Sequence, residues 1–476
     1  MEYFIGIDIG TTSVKAVAFS REGYPLYELS VPCSTVHPFP GWSEQDPEEI
    51  YALVRRSVEN ILQKFAPRLP EIFGFSCAMH SLIVMDGTDQ AITPALIWAD
   101  NRAASHADAI HHQKKASGFY QKTGLPVHAM SPLCKILWIR ENQPDVFRRA
   151  KKFIGIKEYV FHRLFGEYLM DLSMASATGL LNGQDLQWDE EILQYCTVRR
   201  EQLPSLVETS QVLYGPKDFP SLKKIPFVFG GSDGAMANIG STGEEGSLVV
   251  TIGTSSAARL ILGKRTLDES MRTFCYHIKK DQWLVGGASN NGGIVMQWLQ
   301  ENILCSGKTM EEFLDLGFSA RPGADGLIFL PYLLGERAPV WNASAKGIFF
   351  GLCIEHRQAS VIRAALEGVI YCLYSISQPL LEKAAVKQVY ATGGFARNAQ
   401  WVQMAADYFN LPVHLTETVE NSAWGAAKWA MQATGFPVPL SGKVSKTFIP
   451  DTLKHEIYQQ NNARAGRLYS LLKEEF

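Results

Sequence analysis

The 476-residue chain is long enough for two or three domains, each with a full core. Apolar residues make up 46% and charged residues 20%, an ordinary globular composition that excludes a disordered chain. With 45 basic against 48 acidic side chains and a net charge of −3, there is no basic excess to suit nucleic acid or an anionic membrane.

Residues 3–9, 14–20 and 24–31 are predicted strands joined by short turns. The chain runs directly into the first strand, so no signal peptide is expected. No apolar stretch approaches ~20 residues, so no span is expected and the cytoplasm is the default setting. The Asn342-Ala343-Ser344 sequon then carries no meaning. Asp46-Pro47 opens a predicted helix with Ile50, Leu53, Val54, Val58, Ile61 and Leu62 on one face. Strands follow at 72–77 and 82–86, and strand-rich segments alternating with helices predict an α/β architecture. Residues 100–205 are mostly helical in pattern and interrupt that alternation, as an insertion shaping a substrate cleft would. The strand pattern resumes at Phe227-Val228-Phe229-Gly230-Gly231. Gly240–Gly246 is small, polar and Gly-rich, the best linker candidate, which divides the chain at 243/244 into domains 1–243 and 244–476. Strands are predicted near 248–262, 273–277 and 282–287, then a helix over 293–302 and a strand at 327–331. Val361, Ile362, Ala365, Leu366, Val369 and Leu373 share a helical face, and a strand at 388–392 enters Gly393-Gly394 ahead of a helix at 401–409. The eight cysteines are scattered without a Cys-x-x-Cys pair and read as buried free thiols, not disulfides or a zinc site.

One phrase occurs twice. Ile9-Gly10-Thr11-Thr12-Ser13 follows an apolar run ending in Asp8, and Ile252-Gly253-Thr254-Ser255-Ser256 follows Leu248-Val249-Val250-Thr251. Each copy is a buried strand entering a turn of glycine and hydroxyls. Glycine lets the backbone approach an anion, and the amides and hydroxyls supply donors. Two such turns facing each other would grip a polyphosphate from both sides. Only the first copy carries an acid, Asp8, and one acid suits one metal ion. A strand ending in Asp-x-Gly-Thr is by itself a common turn, so the recurrence carries the reading. Ser306-Gly307-Lys308-Thr309 ends like a P-loop, but Asn302 stands where the first glycine must be.

Asp233, in Gly230-Gly231-Ser232-Asp233-Gly234, belongs at the carboxyl edge of a strand, where α/β ligands bind. It could accept the proton of an attacking hydroxyl, or simply cap the next helix. Met79-His80-Ser81 lies between two strands, where the simpler reading is a strand-end histidine with satisfied hydrogen bonds. Trp98-Ala99-Asp100-Asn101-Arg102 suits a polyhydroxy ligand, although a capped helix start explains much of it. His111-His112 reads as a solvated helix face. Gly393-Gly394-Phe395-Ala396-Arg397-Asn398 lacks the third glycine of a dinucleotide fingerprint but still admits a flat ring or ribose, and Gly286-Gly287 and Gly292-Gly293 are further glycine turns. Gly335-Glu336-Arg337-Ala338-Pro339 is a polar loop with no chemistry assignable locally.

Taken together these motifs resemble the FGGY family of carbohydrate kinases, within the actin-like ATPase superfamily, from Gly6 to about Ala427. The resemblance implies two ribonuclease-H-like domains with sugar and ATP in the cleft between them. It implies that Thr11, Thr12, Ser13 and Lys15 meet the ATP phosphates, that Thr254 contacts the β or γ phosphate, and that Gly253 is among the nucleotide-binding residues. Gly293, Gln297, Gly394 and Asn398 would flank the nucleotide, Asp8 would hold Mg2+, and Asp233 would be the catalytic base. Met79-His80 matches the sugar-contacting pair of the xylulose and gluconate branches. The 78–81, 98–102, 154–159 and 335–341 segments look most like gluconate kinases, with Ser81 where xylulose kinases more often have glycine. Ser360 departs from the family's second signature within 347–367. A gluconate carboxylate needs a cationic or amide-rich pocket, for which Arg102, His80 and Lys157 are the candidates. The expected activity is transfer from ATP to a terminal hydroxyl of a sugar or sugar acid, gluconate first. A pentulose kinase is the alternative within the family, and an actin-like ATPase without a sugar acceptor is the alternative outside it. No nucleic-acid or membrane partner is expected, and self-association stays open.

Overall fold

The computed structural model describes residues 2–242, 246–417, 420–438 and 444–476. The apolar run after Tyr3 forms the strand Phe4–Ile9. Gly10 turns the chain, its amide donating to Ser13 O at 3.1 Å. The return strand Ser13–Phe19 pairs antiparallel, with Lys15 opposite Asp8. The first sheet runs, edge to edge, Val212–Leu213, Phe227–Ser232, Ile72–Cys77, Phe4–Ile9, Ser13–Phe19, Pro25–Pro32. Its three central strands are mutually parallel. Helix Pro47–Phe65 starts where Asp46 accepts the Glu48 amide at 2.9 Å, and buries Ile50, Leu53, Val54, Val58 and Ile61 in the first core.

The second sheet repeats the plan. Leu248–Ile252 is antiparallel to Ser256–Leu262 and parallel to Val389–Thr392, which is parallel to Val413–Thr416. Each sheet also ends in an antiparallel edge strand, Val212–Leu213 in the first and Val444–Phe448 in the second. The duplicated phrase is therefore a duplicated topology: in both sheets it is the turn after the central strand. The intervening region is mainly helical as expected, with Ala104–His112, Ala116–Thr123, Pro132–Asn142 and Ile156–Phe165. Short strand pairs return it to the body, Ile83–Met85 with Lys152–Ile154 and Leu169–Asp171 with Ser205–Val207.

Three expectations are corrected. Gly240 and Ser241 lie in the helix Asp233–Ser241 rather than in a linker; 243–245 lie outside the described residues. The helix expected over 293–302 is α-helical for Gly293–Trp298 and then widens to a π-turn over Leu299–Ile303. All eight cysteines are free, but Cys305 and Cys353 are exposed.

Helix Gln358–Lys383 is long and apolar enough to cross a membrane, yet Ile362, Leu366, Val369, Leu373 and Ile376 are buried in the second core. Helix Asn421–Ala433 belongs by sequence to the second half but packs on the first sheet and on helix Asp233–Ser241. Glycines seat it. A Cβ on Gly6 would lie 1.9 Å from Ala423 O, one on Gly74 2.0 Å from Ala426 O, and one on Gly425 1.8 Å from Met236 O. No side chain fits at these three positions, so the helix approaches to backbone contact and ties the two halves together.

Candidate active site

The two hydroxyl turns face one cavity. Thr11 and Thr12 from the first, Thr254 and Ser255 from the second, and Asp233 line a space of about 270 Å³. The first turn is braced by Gln45, whose Nε2 donates to Thr11 O at 2.6 Å, and by Trp98, whose Nε1 donates to Thr11 Oγ1 at 3.3 Å. In the second turn the Gly293 amide donates to Gly253 O at 2.7 Å, and the Gly292 and Ile294 amides both reach Thr254 O at 3.2 Å. A Cβ on Gly292 would sit 2.4 Å from Ser255 O, so only glycine allows this lock. Gly253 borders a second cavity of about 500 Å³, with Gly293, Gly394, Phe395, Asn398 and Trp401. That is room for a nucleoside. Thr254 and its neighbour Gly253 thus join the two spaces.

Three predicted nucleotide residues, Ser13, Lys15 and Gln297, line neither cavity. Lys15 Nζ is in an ion pair with Glu420 at 2.6 Å. Ser13 begins the return strand, and neither residue is among those lining the cavity. Gln297 is exposed and donates to Glu301 at 3.1 Å. Asn398 caps helix Ala399–Phe409 by accepting the Trp401 amide at 2.9 Å, which leaves its amide nitrogen for a ligand.

Asp233 follows the strand Phe227–Ser232. The pairing of that strand is irregular between Val228 and Gly231. Gly230 sits there at φ 65°, and a Cβ on it would be 1.8 Å from Phe75 O. The cap of the next helix is Ser232, whose Oγ accepts the Ala235 amide at 3.3 Å, so Asp233 is not the cap. Asp233 accepts the Gly234 amide at 2.7 Å and is in no ion pair among the described residues. Burial raises its pKa, opposed chiefly by Arg259. Asp8 lies at the end of the first central strand, accepting from Ser76 Oγ at 2.7 Å. Burial pushes its carboxyl up to about 6, and the Asp233 charge adds to the rise.

Met79 and His80 line the cavity. His80 is left-handed at φ 67° and its Nδ1 donates to Ala177 O at 2.8 Å. Its Nε2 is therefore an acceptor. Burial, helped by the Lys135 charge, lowers its pKa to about 3 and keeps the ring neutral. Lys135 was not foreseen. Its Nζ donates to His80 O at 2.7 Å, Ile97 O at 2.8 Å and Leu96 O at 3.1 Å, which ties both cavity loops together. The signal was a lone lysine in the otherwise apolar Leu133–Ile139 stretch.

Arg102 and Lys157, expected to meet a substrate carboxylate, do not line the cavity. The Arg102 guanidinium is clamped by Asp100 at 2.7 and 2.8 Å and Glu44 at 2.6 Å, and lies 3.7 Å over the Trp42 ring. Lys157 is buried against Asp171 at 2.7 Å. Both cations are already neutralised. Instead Arg259, Tyr276, Arg337 and Trp341 reach the cavity. Arg337 lies 4.7 Å over the Trp98 ring and donates to Ser289 O at 3.2 Å. Its neighbour Glu336 turns away, accepting from Ser289 Oγ at 2.6 Å and from the Arg337 amide at 2.8 Å. A charged residue in the buried Ser256–Leu262 strand was the one sign of Arg259 in the sequence.

Comparison with known proteins gives the family. The chain matches the FGGY family of carbohydrate kinases, N-terminal domain over residues 3–240 and C-terminal domain over 248–434. It is 42% identical over 454 residues to a gluconokinase of Bacillus licheniformis, covering 91% of this chain and 88% of that protein. A gluconate kinase from Lactobacillus acidophilus shares the fold with a TM-score of 0.94 at 33% identity, covering 99% of this chain and 98% of that one. A ligand-bound xylulose kinase from the same species gives 0.94 and 33%, covering 99% of each. The two family models over residues 3–240 and 248–434, with a relative 42% identical over 91% of the chain, place it in the FGGY family of carbohydrate kinases, which use ATP to phosphorylate an alcohol group.

Proposed function

We propose that the chain phosphorylates the terminal hydroxyl of D-gluconate, forming 6-phosphogluconate and ADP in the cytoplasm. The carrying observation is that Thr11, Thr12, Thr254 and Ser255 share one cavity with Asp233. The gluconokinase likeness at 42% identity supports gluconate as the acceptor. In this reading residues 1–243 bind the sugar and carry the first phosphate turn and the base, and 244–476 hold the nucleotide and reach the acceptor cavity through Arg259, Arg337 and Trp341.

Asp233 accepts the hydroxyl proton as oxygen attacks phosphorus. The hydroxyls and amides of the two turns neutralise charge on the transferring phosphoryl oxygens, and Trp98 and Trp341 exclude water from the acceptor side. His80 Nε2 accepts from a substrate hydroxyl. Asp8 would hold Mg2+: its carboxylate is costly to bury alone, and no cluster of three metal-binding side chains occurs among the described residues. A Mg2+ bound by one carboxylate keeps most of its waters and would supply charge neutralisation at the phosphates. Lys15 sits opposite Asp8 and would meet the phosphates only on leaving its ion pair with Glu420.

ADP release measured with gluconate, D-xylulose, D-ribulose and glycerol tests the reading. Gluconate should give the highest kcat/KM. A preference for D-xylulose would move the chain to the pentulose branch, whose Lactobacillus acidophilus member matches the fold equally well. ATP turnover indifferent to every polyol would favour an actin-like ATPase.

A further inference from the structure

The cavity carries more positive charge than a neutral sugar needs. Its charged lining residues are Asp233, Arg259 and Arg337, two guanidinium groups against one carboxylate, with His80 neutral. No protein carboxylate pairs with either arginine among the described residues. Arg259 Nε, Arg337 Nε and the Tyr276 hydroxyl are buried without a hydrogen-bond partner among the described residues. Unpaired buried donors on a charged group are costly and are retained where a ligand satisfies them.

The sheet is shaped to deliver Arg259 there. Ala257 and Arg259 alternate onto the cavity face of the strand Ser256–Leu262. Opposite Arg259 in the ladder stands Gly286, where a Cβ would lie 3.2 Å from Arg259 Cγ. Gly286 also pairs with Phe274, another lining residue. Arg259 borders the acceptor cavity and not the nucleoside cavity. The ATP phosphates already have their donors in the two turns.

We infer that Arg259, together with Arg337, binds the carboxylate of the acceptor and so selects a sugar acid over a neutral sugar. The inference rests on the gluconate reading above. A singly charged aldonate balances the two guanidinium groups and Asp233 to zero. Arg259 supplies a planar fork for the carboxylate, while Arg337 is held by Trp98 and Ser289.

The test compares gluconate with D-glucitol, its neutral counterpart with an alcohol at C1. Wild type should prefer gluconate. Arg259→Met should raise the KM for gluconate about a hundredfold and leave the KM for ATP unchanged. Arg259→Lys, which keeps charge but loses the fork, should fall between, and serves where the methionine variant does not fold. A variant that keeps the wild-type preference for gluconate overturns the inference alone. A rise in the KM for ATP with none for gluconate also overturns it, and moves Arg259 to the transferring phosphate. Wild type that does not distinguish gluconate from D-glucitol overturns this inference and the gluconate reading together.

Discussion

Asp8 accepts a 2.7 Å hydrogen bond from Ser76 at the end of the first central strand, and that single bond is its chief compensation for burial. The carboxyl rises from its ordinary 3.8 to about 6. Between those two values the folded chain holds a proton that the unfolded chain has released, so stability falls as pH rises through that window. Above it the cost is constant. Asp8→Asn keeps the acceptor for Ser76 and removes the charge. It should raise stability by about 3 kcal/mol at pH 8 while abolishing turnover, and the gain should vanish towards pH 4. Thermal unfolding at both pH values checks this, and an unchanged Tm at pH 8 would count against a buried Asp8 whose charge is only partly compensated.

Asp233→Asn should lower kcat by about 10²–10⁴-fold. ATP binding, read by calorimetry, should persist because the turns are untouched. Since burial raises the Asp233 pKa, the wild-type rate should fall on the acid side at a higher pH than an ordinary aspartate gives. Near-normal turnover in the variant would place the base elsewhere.

Thr254→Val removes a hydroxyl from the turn that joins the two cavities. A lost hydrogen bond to a charged oxygen is worth ~1.5–3 kcal/mol, so the KM for ATP should rise about tenfold or more. The KM for gluconate should change little. An unaltered KM for ATP would remove this turn from the phosphate site.

Gly425→Ala tests the seat of helix Asn421–Ala433. The new Cβ would lie 1.8 Å from Met236 O, a backbone atom that cannot swing away. A loss of about 3 kcal/mol in denaturant unfolding is expected. Gly466→Ala, in the separate C-terminal helix Thr452–Leu472, is the control, because a Cβ there meets nothing within 4 Å, and it should gain about 0.5–1 kcal/mol. Equal effects would mean the close approach is not what makes Gly425 necessary.

What the chain determined by itself was local. The turns Gly10–Ser13 and Gly253–Ser256 were legible because anion-binding donors come from consecutive backbone and hydroxyl groups. Asp233 was legible because a strand ending in Gly-Gly-Ser-Asp fixes its place at a sheet edge. Which cations face the acceptor was decided only by tertiary structure. Arg102 is claimed by its near neighbour Asp100 together with the distant Glu44 and Trp42, and Lys157 by Asp171 on another element. Arg259 and Arg337 pair with no carboxylate among the described residues, because Glu336 is turned to Ser289 and Asn290 and Asp233 is out of ion-pair reach. Residue type sets a side chain's charge, but the fold decides whether a neighbour has already neutralised it.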